Sequence, residues 1–204
     1  VATGAVHPRV AVIGAAVLNF LGAFVSLEVA ATVAKGIVTP TSITLQVVLA
    51  GIVAATTWNL ITWRFGWPTS SSHALIGGVA GSAVAATGWE VLKVEGLRDK
   101  VMVPSLIAPI AGFAIATLVM YLIMWLIRNK AAGSTDKIFK RLQLVSGSFV
   151  AFTHGTNDAQ KTMGIIALAL IAGSADKTFN VPLWVIVSAA TAMAVGTYVG
   201  GWRI

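Results

Sequence analysis

Cysteine is absent from the chain, which excludes disulfides, zinc–thiolate centres and thiol nucleophiles together. Charge is scarce as well. Only 10% of the 204 residues are Asp, Glu, Lys or Arg, against about a quarter in an ordinary soluble domain. Acids are rarer than bases, and the formal net charge is +7. That excess is not a nucleic-acid footprint, because the basic residues lie mostly between apolar runs, where they set orientation in a membrane. The opening stretch V-A-T-G-A-V-H-P-R lacks the basic n-region of a signal peptide. It also lacks an initiating Met, and the chain stops in mid-pattern at G-G-W-R-I. The expectation is a fragment of a longer protein.

What the chain has in abundance is apolar surface: 57% of residues are hydrophobic and the mean hydropathy is +0.86. An all-α, polytopic transmembrane helical bundle follows. Six apolar runs can be marked: Val10–Val33 with a lone Glu28, Ile43–Trp63, Ser70–Gly88, Val103–Ile127, Leu142–Gly173 and Val181–Trp202. Pro104 and Pro109 are placed to kink the start of the fourth. Trp63, Trp67, Trp89, Trp125, Trp184 and Trp202 lie near run ends, as an interfacial belt requires. The segment Arg128–Arg141 carries Arg128, Lys130, Lys137, Lys140 and Arg141 against Asp136 alone, so it is expected in the cytoplasm. Glu90–Lys100 balances three acids with three bases and suits the opposite side. Arg9, Arg64 and Arg203 then fall inside if every run crosses; Lys35 does not.

The fifth run contains the chemistry. G-S-F-V-A-F-T-H-G-T-N-D-A-Q-K-T-M-G, from Gly147 to Gly164, places Thr153, His154, Thr156, Asn157, Asp158, Gln160, Lys161 and Thr162 inside an apolar stretch. An ionised side chain at a helix centre costs about 2.5–3.5 kcal/mol on insertion scales. Such a block must face protein, ions or water. His154, Asp158 and Thr162 are spaced by four and Asp158 and Lys161 by three, so their side chains can share one helix face. Gly155 and Gly164 are expected to break the helix and expose backbone to a ligand. The plainer alternative is an Asp–Lys pair that only pins helices together.

A second site opens the third run at Gly66-Trp67-Pro68-Thr69-Ser70-Ser71-Ser72-His73. Pro68 suits a helix start. The hydroxyls that follow, the free N–H groups and the positive helix end together make an anion site, of the kind discontinuous transporter helices present to anionic substrates. Ordinary N-capping explains one or two of those hydroxyls. A faint internal repeat is also present: Pro8, Ala15-Ala16 and Gly22 recur at Pro182, Ala189-Ala190 and Gly196, 174 residues later. His7 and Asn59 have ordinary explanations as a loop residue and an inter-helix hydrogen bond, whereas Glu28 reads equally as a functional or paired acid inside the bundle and as a routine interfacial one.

The string His154-Gly155-Thr156-Asn157-Asp158-Ala159-Gln160-Lys161-Thr162-Met163-Gly164 resembles the G-x-N-D signature of the inorganic phosphate transporter family, the sodium- or proton-coupled phosphate permeases that include the PiT carriers. Pro68-Thr69-Ser70-Ser71-Ser72-His73 is similar to that family's P-x-S-T-T-H element, with Ser71 and Ser72 where Thr is usual. Gly196-Thr197-Tyr198 and Gly200-Gly201-Trp202-Arg203 resemble the segment after the second signature. The resemblance implies two inverted repeats with broken or re-entrant helices. Residues 1–127 would be the C-terminal portion of the first repeat, 128–141 a basic cytoplasmic linker, and 142–204 the N-terminal portion of the second. It implies phosphate bound by Ser70, Ser71, Ser72, Thr156, Asn157 and Lys161. The coupling cation, sodium or a proton, would sit at Asp158 and Asn157, with no other metal and no cofactor.

The expected function is coupled symport of inorganic phosphate across the plasma membrane by a multi-pass carrier. Its partners are phosphate, sodium or a proton, and the lipid bilayer. Homo-oligomerisation stays open and nucleic acid is not expected. Sulfate or another oxyanion is the alternative within the same family. An intramembrane enzyme using His154 and Asp158 as an acid–base pair, or a structural subunit, is the rival from outside it. No nucleophile or metal triad accompanies that pair, so the chain is not expected to be an enzyme.

Overall fold

The computed structural model describes residues 1, 3–39, 43–129, 132–174 and 178–200. Lys130, Gly201, Trp202 and Arg203, on which parts of the orientation, the aromatic belt and the family resemblance rest, lie outside the described residues.

The described chain is helical, as the composition requires, with one isolated antiparallel bridge. Helix α1 (Pro8–Gly22) begins with Pro at its first position, and the His7 ring accepts from the Arg9 amide. The first apolar run is not one helix. It stops at Gly22 and restarts as α2 (Glu28–Gly36). A break in an apolar stretch leaves backbone amides without partners, and here two side chains meet them. Ser26 Oγ accepts from the Glu28 amide at 3.2 Å and Gln160 Oε1 from the Val29 amide at 3.0 Å.

Helix α3 (Leu45–Phe65) is capped by Thr44 and ends on Gly66 at φ +67°, a left-handed stop that favours glycine. After the Pro68 turn, Ser70 caps α4 (Ser71–Thr87) by accepting from the His73 amide at 3.3 Å. The two helices form a close hairpin because Gly51 and Gly78 face it; a Cβ on Gly51 would lie 2.8 Å from Val79 Cα.

The stretch expected as a loop, Glu90–Lys100, is instead ordered as a 3-10 turn (Trp89–Val91), the short α5 (Val94–Leu97) and a π-turn (Arg98–Met102) that runs into α6 (Val103–Ile127). Val38 bridges Leu92, the Thr39 amide donates to the Val91 carbonyl and the Lys93 amide to the Ile37 carbonyl, so this connector is fastened to the end of α2. None of α6 is buried.

Helix α7 (Ala132–Gly173) runs 42 residues without interruption. It takes in most of the basic 128–141 segment. It also overturns the expected break at Gly155 and Gly164. Those glycines are packing contacts: a Cβ on Gly155 would strike the backbone of Asn19, and one on Gly164 would lie 2.7 Å from the Ala30 carbonyl. Close approach, not helix breakage, is what they permit. Helices α1, α2 and α8 (Leu183–Gly200) pack against α7, and α3 touches it. The core between them is built from small and branched residues such as Ala30, Val33, Ala159, Leu168 and Val185, with the unbranched Met163 among them.

Among the described residues, three helical stretches are long and apolar enough to cross a bilayer: Leu45–Phe65, Val94–Ile127 and Leu183–Gly200. Helices α1 and α4, with 15 and 17 residues, fall short of the about 20 that a full crossing takes. Three such stretches in one chain are what a multi-pass membrane protein requires.

Candidate functional site

Asp158 lies on the face of α7 that meets the start of α4. Its Oδ1 is 2.7 Å from Lys161 Nζ, one turn on, and Oδ2 is 3.1 Å from His154 Nε2, one turn back. Lys161 reaches across and donates to Ser72 Oγ at 2.6 Å. Asp158 and Lys161 are each 25% exposed, so the pair is screened by protein yet open on one side. Ser72 is the second residue of α4 and Ser71 the first. Amides in a first helical turn lack intrahelical acceptors and carry the positive end of the helix dipole.

The polar contacts continue past Asp158. His154 Nδ1 lies 3.1 Å from Asn19 Oδ1 on α1, and Asn19 Nδ2 donates to Thr197 Oγ1 on α8 at 3.1 Å. One chain of contacts therefore runs from α8 through α1 and α7 to α4. Two cavities flank it. The smaller, about 220 Å³, is bordered by Asn59, Ser71, Ser72, Asp158 and Lys161. The larger, about 1050 Å³, opens beside Asn19, His154, Asp158 and Thr197. Ser71, Asp158, Thr162 and Met193 border both.

Of the expected site residues, Ser71, Ser72, Asp158 and Lys161 come together. Ser70 does not join them: it caps α4, contacts His73 Nδ1 at 2.8 Å and borders a separate cavity of about 460 Å³ with Pro68, Thr69 and His73. His73 in turn reaches Ser105 on α6 at 3.0 Å. Thr156 donates to the Gly22 carbonyl at 3.0 Å and serves the α1–α7 contact. Asn157 is exposed and donates to the Thr153 carbonyl of its own helix. Asn19, 3% exposed, was not singled out by the sequence. It is the one uncharged polar side chain in α1, and that isolation was the available signal. Among the described residues no group of three or more His, Cys, Asp or Glu is placed to hold a metal ion.

Comparison with known proteins points one way. The profile of the phosphate transporter family matches residues 1–135 and 128–204. A probable low-affinity inorganic phosphate transporter of Mycobacterium tuberculosis is 50% identical over 206 residues, covering 100% of this chain and 49% of the relative. A protein of the same description from Bacillus subtilis is 44% identical over 209 residues, covering 100% of this chain and 62% of the relative. The chain thus spans about half the length of the mycobacterial relative. Among solved structures, the sodium-dependent phosphate transporter superposes with a TM-score of 0.73 over 98% of this chain and 68% of that one, at 20% identity, which shows a shared fold.

Proposed function

Because the chain belongs to the phosphate transporter family, a family of transporters rather than enzymes, we propose that the full-length protein carries inorganic phosphate across the plasma membrane by symport with sodium or a proton. The observation that carries this reading is the meeting of α4's first turn with the Asp158–Lys161 pair of α7 across a 220 Å³ cavity. Ser71 and Ser72 offer hydroxyl donors, the helix end offers the first-turn amides that Ser70 does not cap, and Lys161 offers an ammonium. Together they suit a tetrahedral oxyanion. Asp158 supplies the negative charge through which a coupling cation acts. Ser70, Thr156 and Asn157, whose side chains bond elsewhere, act as cap, helix clasp and helix surface in this reading.

A carboxylate beside the anion favours phosphate over sulfate. Phosphate keeps a proton at neutral pH and can donate it to Asp158, whereas sulfate has none to give and meets only repulsion. The names of the relatives point to the same substrate. The test is uptake of labelled phosphate by the full-length protein in proteoliposomes, under an imposed sodium gradient and then a proton gradient. Accumulation under one of them, with weak competition by excess sulfate, is the expected result. No accumulation under either would refute transport by this mechanism, and equal competition by sulfate would refute the phosphate preference.

A further inference from the structure

A sodium ion held by Asp158 needs the carboxylate's negative charge, and that single charge is already paired with the Lys161 ammonium. Oδ1 faces Lys161 Nζ at 2.7 Å and Oδ2 faces His154 Nε2 at 3.1 Å. The hydroxyl nearest the pair, Ser72 Oγ, accepts from the same ammonium at 2.6 Å. Asp158 Oδ1 from α7 and Ser72 Oγ from α4 are oxygens a small cation would take, and the Lys161 ammonium is already on both. A further ion there would strip Lys161 of its counter-charge and leave a shielded ammonium unpaired, a strongly unfavourable state. The donor set at Asp158 does not fit sodium.

We infer that Lys161 is a tethered cation standing in the place of a free sodium ion at Asp158, so that phosphate binds without sodium. This rests on the phosphate-transport reading and narrows it. The ammonium does what a bound sodium would do in the same position. It neutralises Asp158, ties α4 to α7 through Ser72, and puts positive charge on the wall of the anion cavity. Being covalently attached, it adds its charge without an ion having to be recruited from either side of the membrane.

The experiment is a calorimetric titration of the full-length, detergent-purified protein with inorganic phosphate, in sodium chloride and in choline chloride of equal ionic strength. The unaltered protein should bind equally in both, and titration with sodium alone should give no binding heat. Lys161→Ala should weaken binding in choline by about tenfold or more, the loss of one charge-assisted contact, and sodium should restore much of it. Lys161→Arg should remain independent of sodium. Phosphate binding by the unaltered protein that requires sodium would overturn the inference while leaving phosphate transport standing. A loss in Lys161→Ala that sodium cannot restore would also overturn it, making Lys161 a phosphate ligand alone. Absence of phosphate binding by the unaltered protein in either salt would remove the transport reading and the inference together. Should Lys161→Ala fail to fold, the salt comparison and the sodium titration of the unaltered protein decide the matter.

Discussion

At the scale of single residues, the proposed site balances one negative against one positive side chain, and altering either unsettles the other. Asp158→Asn preserves shape but leaves Lys161 with uncharged acceptors only, the new amide oxygen and Ser72 Oγ. A partly shielded ammonium without a counter-charge is unfavourable. The variant should lose phosphate uptake and melt earlier in a thermal size-exclusion assay. Combining it with Lys161→Met should recover the melting temperature but not the uptake, which separates charge balance from function. The serines divide differently. Ser72→Ala should lower phosphate affinity about tenfold, one hydroxyl contact to a charged acceptor. Ser70→Ala should cost stability of about 1 kcal/mol through the lost cap and leave affinity unchanged; equal affinity losses in the two variants would contradict the placement of Ser70 outside the site. Ser71, Ser72, Asp158 and Lys161 were legible because a carboxylate, an ammonium and clustered hydroxyls in an apolar chain need partners. Thr156 and Asn157 were legible as chemistry but not as position. Each residue turns a helix by about 100°, so neighbours of Asp158 in sequence point away from it in space. Asn19 could not be distinguished from an ordinary inter-helix hydrogen bond until α1 was seen against His154.

At the scale of elements, α7 is the post on which α1, α2 and α8 lean, and its glycines decide how close they come. Gly155→Ala would drive a methyl group into the Asn19 backbone, and backbone cannot swing aside as a side chain can. Overpacking of this kind costs about 1–3 kcal/mol, and it would also push Asn19 from His154. The variant should fold with lower thermal stability and reduced uptake. Gly147→Ala, on the same helix with nothing within 4 Å of the added atom, should be neutral or stabilise by about 0.5–1 kcal/mol, the ordinary gain of Ala over Gly in a helix. If the two variants behaved alike, the close α1–α7 contact would be refuted. The sequence marked both the long run and these glycines, yet suggested a break there. Glycine in an apolar run permits either a break or a close contact, and the choice belongs to the partner helix. The real interruption, between Gly22 and Glu28, was hidden for the opposite reason. Ser26 and Gln160 supply its hydrogen bonds, and Gln160 lies more than a hundred residues away in sequence.

At the scale of the whole molecule, hydropathy foretold the helices because apolar length is what a bilayer selects. Helix α6, apolar on every side and unburied, is the clearest case. What hydropathy could not foretell is how the α3–α4–α6 part is fastened to the α2–α7 part, since the fastening is largely backbone. Residues Ile37–Thr39 pair with Val91–Lys93, Lys93 Nζ donates to the Lys35 carbonyl at 2.8 Å, and Gly96 presses on Gly36. A Cβ at Gly96 would meet the Gly36 carbonyl oxygen and lie 3.0 Å from its carbon. Nothing there can yield without parting the two segments. Gly96→Ala should therefore release the connector from α2 while leaving α4 and α6 helical. Lys93, Arg98 and Lys100 lie on that connector and are exposed, so trypsin added to membranes that present this face should cut there faster in the variant. Gly81→Ala, which adds an atom to open space within α4, should leave the cutting rate unchanged. Phosphate uptake should fall in Gly96→Ala as well. Ser71 and Ser72 come from the part that carries α4, Asp158 and Lys161 from the part that carries α7, and the proposed anion site requires the two to be held together. An unchanged tryptic rate in Gly96→Ala would mean that the connector is held by something other than this contact.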